Sequence, residues 1–408
     1  MKQRTLLFKI RKFPQLSETF IVNQILLAVK MGYEVRILTE EFTDISSNAN
    51  SNLFEKYNLC EKVIIEDYRI PGKRLKRILK AIWIVLKNSG LLPHLIKYYK
   101  ESGKKGLLPL YEFFFYKPFQ NFDTIHIQFG TNKHPVDIMK KIGYLKTRLI
   151  VSFHGHDLYF PINNIIPNNG YYDRLFETAD YLIANTNFLM EKLLAINAPK
   201  EKIKIIPVAV DTSIFKPDKR ANKRTGIIRI ISVGRLEIFK GHHLGIECIS
   251  KLVNKGYNIK YSIVGTGIQE RVLEQLIQKF GLANHIHLLG RKSQEDIISL
   301  LPNQDFFLMT SITDPNYGVE SQGLVTAEAQ ACGLPVVAFD SGGVKYTLID
   351  GETGFLCKEK DIECYTEKIE LLIRNDSLRK KMGIDAVQFI EREYSENSVL
   401  NKWRNIYG

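Results

Sequence analysis

Residues 227–241 read IIRIISVGRLEIFKG. A β-branched run, IIRIISV, delivers the chain into Gly234, then into a short loop carrying Arg235 and Lys240 and closed by Gly241. Such a run bounded by glycine has the composition of a buried strand. Strand candidates of the same kind follow it: IKYSIVG, IHLLG, DFFLMTS, PVVAF and GFLC, with helical segments between most of them. Upstream, RTLLFKI, EVRILTE, TIHIQFG, RLIVSFHG, YLIANT and KIKIIPVAV repeat the theme. Between the first two, SETFIVNQILLAVKMG reads as a helix with Ser17 as N-cap and Gly32 as stop. Strand–helix alternation predicts a parallel sheet with helices on both faces. The alternation breaks over 211–226, DTSIFKPDKRANKRTG, a polar stretch with a proline that reads as a linker. The expectation is an α/β protein of two doubly wound halves, with ligands at the carboxyl ends of the strands and a cleft between the halves.

The bulk numbers agree with two folded domains: 408 residues, 45% hydrophobic and 25% charged. No apolar stretch approaches the roughly 18 residues of a membrane-spanning helix, and the N-terminal MKQRTLLFKIRKF is too charged for a signal peptide. Cys60, Cys248, Cys332, Cys357 and Cys364 lack metal-ligand spacing and read as reduced thiols of a cytoplasmic protein. The net charge of +13 is concentrated: residues 71–120 hold eleven Lys or Arg against Glu101 and Glu112. Within that segment Leu75, Ile78, Leu79, Ile82 and Leu86 fall on one helical face, flanked or opposed by Lys73, Arg74, Lys76, Arg77 and Lys80. An aromatic run, YEFFFY, follows at 111–116. A basic, amphipathic, aromatic-rich segment suits an anionic membrane surface, or else packs on its own domain.

Two constellations carry chemistry. Arg235 and Lys240 leave a strand end between glycines that let backbone approach a ligand, and paired cations suit a diphosphate. Downstream, Glu320 and Glu328 stand with seven residues between them, and Gly323 precedes a helix closing near Gly333. The first amides of that helix, at Leu324 and Val325, form an anion site, while carboxylates suit sugar and ribose hydroxyls.

A G-R-L-x-x-x-K-G loop followed by E-x7-E resembles the family 4 glycosyltransferases. Ile206-Pro207-Val208-Ala209-Val210-Asp211, Val264-Gly265-Thr266-Gly267 and Gly351-x-x-Gly354-Phe355-Leu356 extend the likeness over nearly the whole chain. Phe13-Pro14-x-Leu16-Ser17-Glu18-Thr19-Phe20-Ile21, His126-Ile127-Gln128-Phe129-Gly130 and Phe153-His154-Gly155-His156-Asp157 are similar to the branch that builds bacterial exopolysaccharides such as colanic acid and amylovoran. The resemblance implies a GT-B fold, two Rossmann-like domains facing across a cleft. It places an acceptor-binding domain over 1–210, a nucleotide-sugar-binding domain over 227–385, and a helix over 386–408 that packs back on the first. It also implies retaining transfer of a hexose from a UDP- or GDP-sugar to a lipid-diphosphate-linked saccharide, in exopolysaccharide, capsule or O-antigen synthesis, by an enzyme peripheral to the inner face of the bacterial membrane.

Carried over residue by residue, Arg235 and Lys240 would neutralise the diphosphate, Glu328 would hold the ribose hydroxyls and Glu320 the donor sugar. The amides near Gly323, Leu324 and Val325 would cap the phosphates, with Gly265 and Gly267 on the donor side and Ser17, Glu18 and Thr19 shaping the acceptor or phosphate side. His154 would reach the donor sugar. Gln128 stands where many relatives carry a second histidine, no proline lies between Glu320 and Glu328, and the segment from Ser341 to Tyr346 lacks a common glutamate. With no Asp-x-Asp pair, no metal is expected.

Rival classes fare worse. Nucleic-acid binding has only the pI of 9.3 behind it. Nicotinamide binding would need a third glycine where Glu270 stands. A sugar phosphorylase or nucleotide-sugar epimerase of the same fold, or a non-catalytic protein binding anionic surfaces, remain as alternatives.

Overall fold

The computed structural model describes residues 3–15, 18–43, 51–218, 226–315 and 318–408. The chain forms two compact units. The first takes Met1–Ala184, Met190–Ile205 and Ile406–Gly408; the second takes Asn185–Leu189 and Ile206–Asn405.

The first unit is built on β1 (Thr5–Phe13), α1 (Thr19–Lys30), β2 (Glu34–Phe42), α2 (Ser51–Lys56) and β3 (Val63–Ile65). Three helices follow, α3 (Arg74–Lys87), α4 (Leu92–Ser102) and α5 (Leu108–Phe115). The chain then continues through β4 (Thr124–Gln128), α6 (Val136–Lys141), β5 (Arg148–Phe153), α7 (Asp173–Thr178), β6 (Tyr181–Ala184), α8 (Asn187–Ala195) and β7 (Ile203–Ile205). Among the described residues these strands make one parallel sheet in the order β3-β2-β1-β4-β5-β6-β7. β1 is an interior strand, and Leu6, Leu7 and Phe8 are all fully buried, as a strand covered on both faces requires. Gly32, at φ 87°, ends α1 in the left-handed region. The Ser17 cap assignment lies outside the described residues.

The second unit repeats the plan with β8 (Ile228–Val233), α9 (His242–Asn254), β9 (Ile259–Val264), α10 (Glu270–Lys279), β10 (Ile286–Leu288), α11 (Gln294–Leu300) and β11 (Phe306–Met309). It closes with α12 (Leu324–Ala331), β12 (Val336–Phe339), β13 (Gly354–Cys357), α13 (Ile362–Arg374), α14 (Asp376–Glu393) and α15 (Glu396–Tyr407). The sheet order is β10-β9-β8-β11-β12-β13, again parallel. Side-chain alternation along the strands builds two cores. Ile230, Leu308, Val337 and Phe339 face one side, with Ile246 and Ile249 of α9 and Ile369 of α13. Ile231, Phe307, Met309 and Val336 face the other, with Ala327 of α12 and Ile390 of α14.

Three departures from the sequence reading have local causes. The first domain does not run to 210, and the described part of the 211–226 stretch is not a free linker: the Val210 amide donates to Tyr394 O at 2.8 Å, Val210 bridges Ser395 in parallel and Phe215 is buried in the second unit's core, so the chain joins the second unit from Ile206. The C-terminal helical stretch is two helices, broken at Tyr394 and Ser395, and Ile406–Gly408 belongs to the first unit. There the Tyr407 hydroxyl meets His126 Nδ1 at 2.8 Å, and Arg148 donates to the carbonyls of Ile406 and Tyr407, both at 3.0 Å. Finally, the cysteines are not all free thiols. Cys357 ends β13 and Cys364 lies in the first turn of α13, which brings their Cα atoms to 6.0 Å and joins them as a disulfide. Cys60, Cys248 and Cys332 are free.

Candidate active site

In each unit the strand order reverses at one place, between β1 and β4 in the first and between β8 and β11 in the second. The carboxyl ends of those strands are where such sheets receive ligands.

In the second unit, β8 runs into Gly234 and the loop bearing Arg235. The turn Ile238–Lys240 follows, with Gly241 at φ 63°. This loop is fixed by backbone. The Leu236 amide donates to Thr266 O at 2.9 Å, the Ile312 amide to Phe239 O at 2.7 Å, and Thr310 Oγ1 to Lys240 O at 2.7 Å. A Cβ on Gly241 would sit 2.0 Å from Thr310 O, so only glycine permits this approach. Gly265 and Gly267 serve the same loop from β9: a Cβ on either would strike the carbonyl of Gly234 or Leu236, at 1.9 and 2.5 Å. In this structure the two glycines contact protein backbone and shape the Arg235 loop.

β11 delivers the chain towards Glu320, and Lys240 Nζ meets Glu320 Oε2 directly in a half-buried ion pair. The basic loop and the acidic loop are thus in contact. Arg235 is largely exposed, its guanidinium 3.8 Å from Glu237 Oε1 and 5.9 Å from the Phe239 ring. Gly323, at φ 77°, caps α12 without a side chain. The amides of Leu324 and Val325 find no acceptor among the described residues. Thr326 Oγ1 and Ser341 Oγ are likewise buried without partners. Unpaired donors at a helix start make a site for an anion. Glu328, one turn further, has no cation beside it among the described residues, and burial pushes its carboxyl up to about 7.

Sequence reasoning missed what holds this acidic loop. Gln322 is buried and pairs both ways with Val208, accepting from its amide at 2.9 Å and donating to its carbonyl at 3.2 Å. Gly343 N donates to Glu320 O at 2.8 Å, and Cβ atoms on Gly342 and Gly343 would collide with the carbonyls of Glu320 and Ser321. The Gly-Gly pair was legible as a motif, but its contact with Glu320 was not.

In the first unit, Ser17 lies outside the described residues. Its neighbour Glu18 precedes α1, accepts from Gln15 Nε2 at 3.0 Å, and is raised by burial to about 7. His154 follows β5, its ring against Phe20 and Phe129 at 4.7 and 4.6 Å. Its Nε2 meets Gln128 Oε1 at 2.8 Å, and Gln128 Nε2 donates to Gln24 Oε1 at 2.9 Å. Because an amide oxygen only accepts, this network assigns the imidazole proton to Nε2. Nδ1 is left as an acceptor with no partner among the described residues. Burial, with His156 nearby, lowers the ring to about 3, so it is neutral in ordinary buffers. Asp157 fixes the backbone here, accepting from the amides of Gly130, His154 and Gly155 at 2.9–3.1 Å. Gln128, which the sequence showed only as a departure, is what holds the His154 ring.

Two family profiles match consecutive stretches: "Glycosyltransferase Family 4" over residues 17–214 and "Glycosyl transferases group 1" over 214–389. The chain belongs to the family 4 glycosyltransferases. This glycosyltransferase is 28% identical over 378 residues to a putative colanic acid biosynthesis glycosyltransferase, WcaL, of Escherichia coli, with 91% of each chain covered. It is 28% identical over 400 residues to the amylovoran biosynthesis glycosyltransferase AmsK of Erwinia amylovora, with 96% of each covered. A crystal structure of Anabaena HepE in complex with UDP superposes with a TM-score of 0.73 at 16% identity, over 99% of both chains. The fold class is therefore GT-B, with two Rossmann-like units. Among the glycosyltransferase's described residues, no helix is long and apolar enough to cross a membrane, and no cluster of three or more His, Cys, Asp or Glu could hold a metal ion.

Proposed function

We propose that this glycosyltransferase moves a hexose from a UDP- or GDP-sugar to a lipid-diphosphate-linked saccharide with retention of anomeric configuration. The reaction would serve assembly of exopolysaccharide, capsule or O-antigen at the inner face of the bacterial membrane. The observation that carries the reading is the meeting of Lys240 with Glu320 beside the unpaired amides of Leu324 and Val325. A diphosphate lodged there meets Arg235, Lys240 and the positive end of α12, which together stabilise charge as the nucleotide leaves.

Glu320 then turns from Lys240 towards the donor sugar, and Glu328 accepts from the ribose hydroxyls. The neutral His154 would accept from a hydroxyl of the sugar through Nδ1, which is buried and unpartnered here and has to be uncovered for that contact. The leaving phosphate takes the acceptor's proton in a front-face displacement through an oxocarbenium-like state. Fixed cations replace a metal in this scheme. Similarity to WcaL and AmsK supports the pathway class, and the UDP held by HepE supports the donor class.

A panel of nucleotides and nucleotide sugars, read by thermal unfolding, tests this proposal. UDP- or GDP-sugars should raise the midpoint in the wild type and not in Lys240→Ala. Release of nucleotide should require acceptor, which separates transfer from phosphorolysis and epimerisation. A panel that stabilises nothing refutes the donor site.

A further inference from the structure

Helix α3 is turned the wrong way round for a helix on a water-soluble surface. Leu75, Ile78, Leu79, Ile82, Trp83 and Leu86 recur at the spacing of one helical face, and all are exposed, Trp83 by 58% and Leu86 by 72%. The inward face carries fewer large apolar side chains: half-buried Ile84, a small residue and two cations. Ala81 is buried, Arg77 donates to Pro71 O at 3.0 Å, and Lys80 donates to Arg69 O at 2.7 Å. Tyr111 of α5 holds the helix by donating to Arg77 O at 2.6 Å. Leu92 and Ile96 of α4 and Leu108 of α5 are exposed as well. Large apolar side chains exposed together along one helical face mark an interaction surface.

Charge selects the occupant. Lys73, Arg74, Lys76 and Lys87 stand exposed around the stripe, and Lys87 lies 5.0 Å over the Trp83 ring. Both acids of this segment are engaged elsewhere. Glu101 pairs with Lys141 and Arg174, and Glu112 is buried against Tyr98, His134 and Lys104. Behind Trp83 a cavity of about 990 Å³ is lined by Arg69, Lys80, Lys87, Tyr111 and Phe115. A second copy of the chain would bring cations against cations. An anionic bilayer takes up both parts of the surface, since leucine and tryptophan enter the acyl boundary while lysines reach the head groups.

We propose that the outward face of α3, from Leu75 to Leu86, is the surface by which this glycosyltransferase docks on an anionic lipid bilayer. The proposal rests on the membrane-linked reading of function above, but its test is independent of transfer. Trp83 supplies the readout, because the chain's other tryptophan, Trp403, is 5% exposed. Vesicles of phosphatidylcholine with a quarter phosphatidylglycerol should shift the emission to shorter wavelength, shield it from acrylamide and carry the protein upward in flotation. Pure phosphatidylcholine should bind more weakly. Replacing Lys73 or Lys76 by Gln should weaken binding roughly fivefold each at low salt. Leu79→Glu with Ile82→Glu should lower it more than tenfold while leaving the unfolding midpoint and nucleotide binding unchanged, since both side chains are exposed. Absence of flotation on the anionic vesicles at low salt, undiminished flotation of the double variant, or a dimer in sedimentation that the double variant dissolves would each overturn the proposal.

Discussion

Replacing Glu328 by Gln should make the ligand-free protein more stable and the donor complex weaker, and pH separates the two effects. Burial raises this carboxyl from its ordinary 4.5 to about 7 with no compensating cation among the described residues. The folded state therefore keeps a proton that the unfolded chain has lost between pH 4.5 and 7, and wild-type stability falls as pH rises through that window. At 1.36 kcal/mol per pH unit the full penalty is about 3 kcal/mol, and residual hydration of a half-buried side chain reduces it to about 1–3 kcal/mol. Glutamine does not titrate. The stability gap between variant and wild type should accordingly widen from its value at pH 4.5 to a maximum by pH 8, and urea unfolding at a series of pH values measures it. Donor binding runs the other way. Ribose hydroxyls donate to a carboxylate, so nucleotide affinity in the wild type should tighten as pH rises towards 8. In Glu328→Gln it should be flat and, at about 2–3 kcal/mol for lost charged hydrogen bonds, weaker by on the order of 30- to 150-fold. Calorimetry of nucleotide binding in buffers of different ionisation enthalpy would show proton release in the wild type alone. A stability gap that does not change with pH, together with unaltered nucleotide affinity, would refute both the burial argument and the assigned role.

Other outcomes follow from the same geometry. Arg235→Ala or Lys240→Ala should cut turnover by roughly 100-fold or more, about 3 kcal/mol per lost electrostatic contact, with an unchanged far-UV spectrum; near-normal turnover in either contradicts the diphosphate site. Gln128→Ala should lower kcat by about five- to tenfold through loss of the bond that orients His154, and it should leave nucleotide affinity intact. An equal fall in nucleotide affinity would mean Gln128 is merely structural. Because His154 is lowered to about 3, the kcat profile between pH 5 and 9 should carry no inflection that Gln128→Ala or His154→Ala removes. Turnover should persist in EDTA, and loss restored by a divalent cation would contradict charge stabilisation by Arg235 and Lys240.

Much of this architecture was readable from local pattern, and the parts that were not share a cause. Strands such as IIRIISV and PVVAF declare themselves because each must be apolar on two faces, and the loop after β8 because its close at Gly241 needs glycine. Within the second unit, Gly323 and the glutamates appear where a loop and a helix start dictate them. What spacing did not reveal was pairing at long range. Gln322 bonds to Val208 and Gln128 to His154, and neither pair is periodic with anything. The strand-like KIKIIPVAV reads as the end of the first domain and 211–226 as a linker, but Val210 is drawn into the second unit by Tyr394. Cys357 and Cys364 look like scattered thiols until a strand end and a helix start bring them together. The amphipathic pattern of α3 was plain, but a hydropathy stripe does not say which way it points.

The seat of Tyr407 against His126 has a bearing on biogenesis. These partners are separated by 281 positions. At about 5–20 residues per second, a ribosome needs roughly 15–60 s to supply the second after the first. The earliest-made sheet must wait that long with a buried imidazole lacking one of its partners, so a nascent chain stalled before Tyr407 should stay a client of chaperones and proteases.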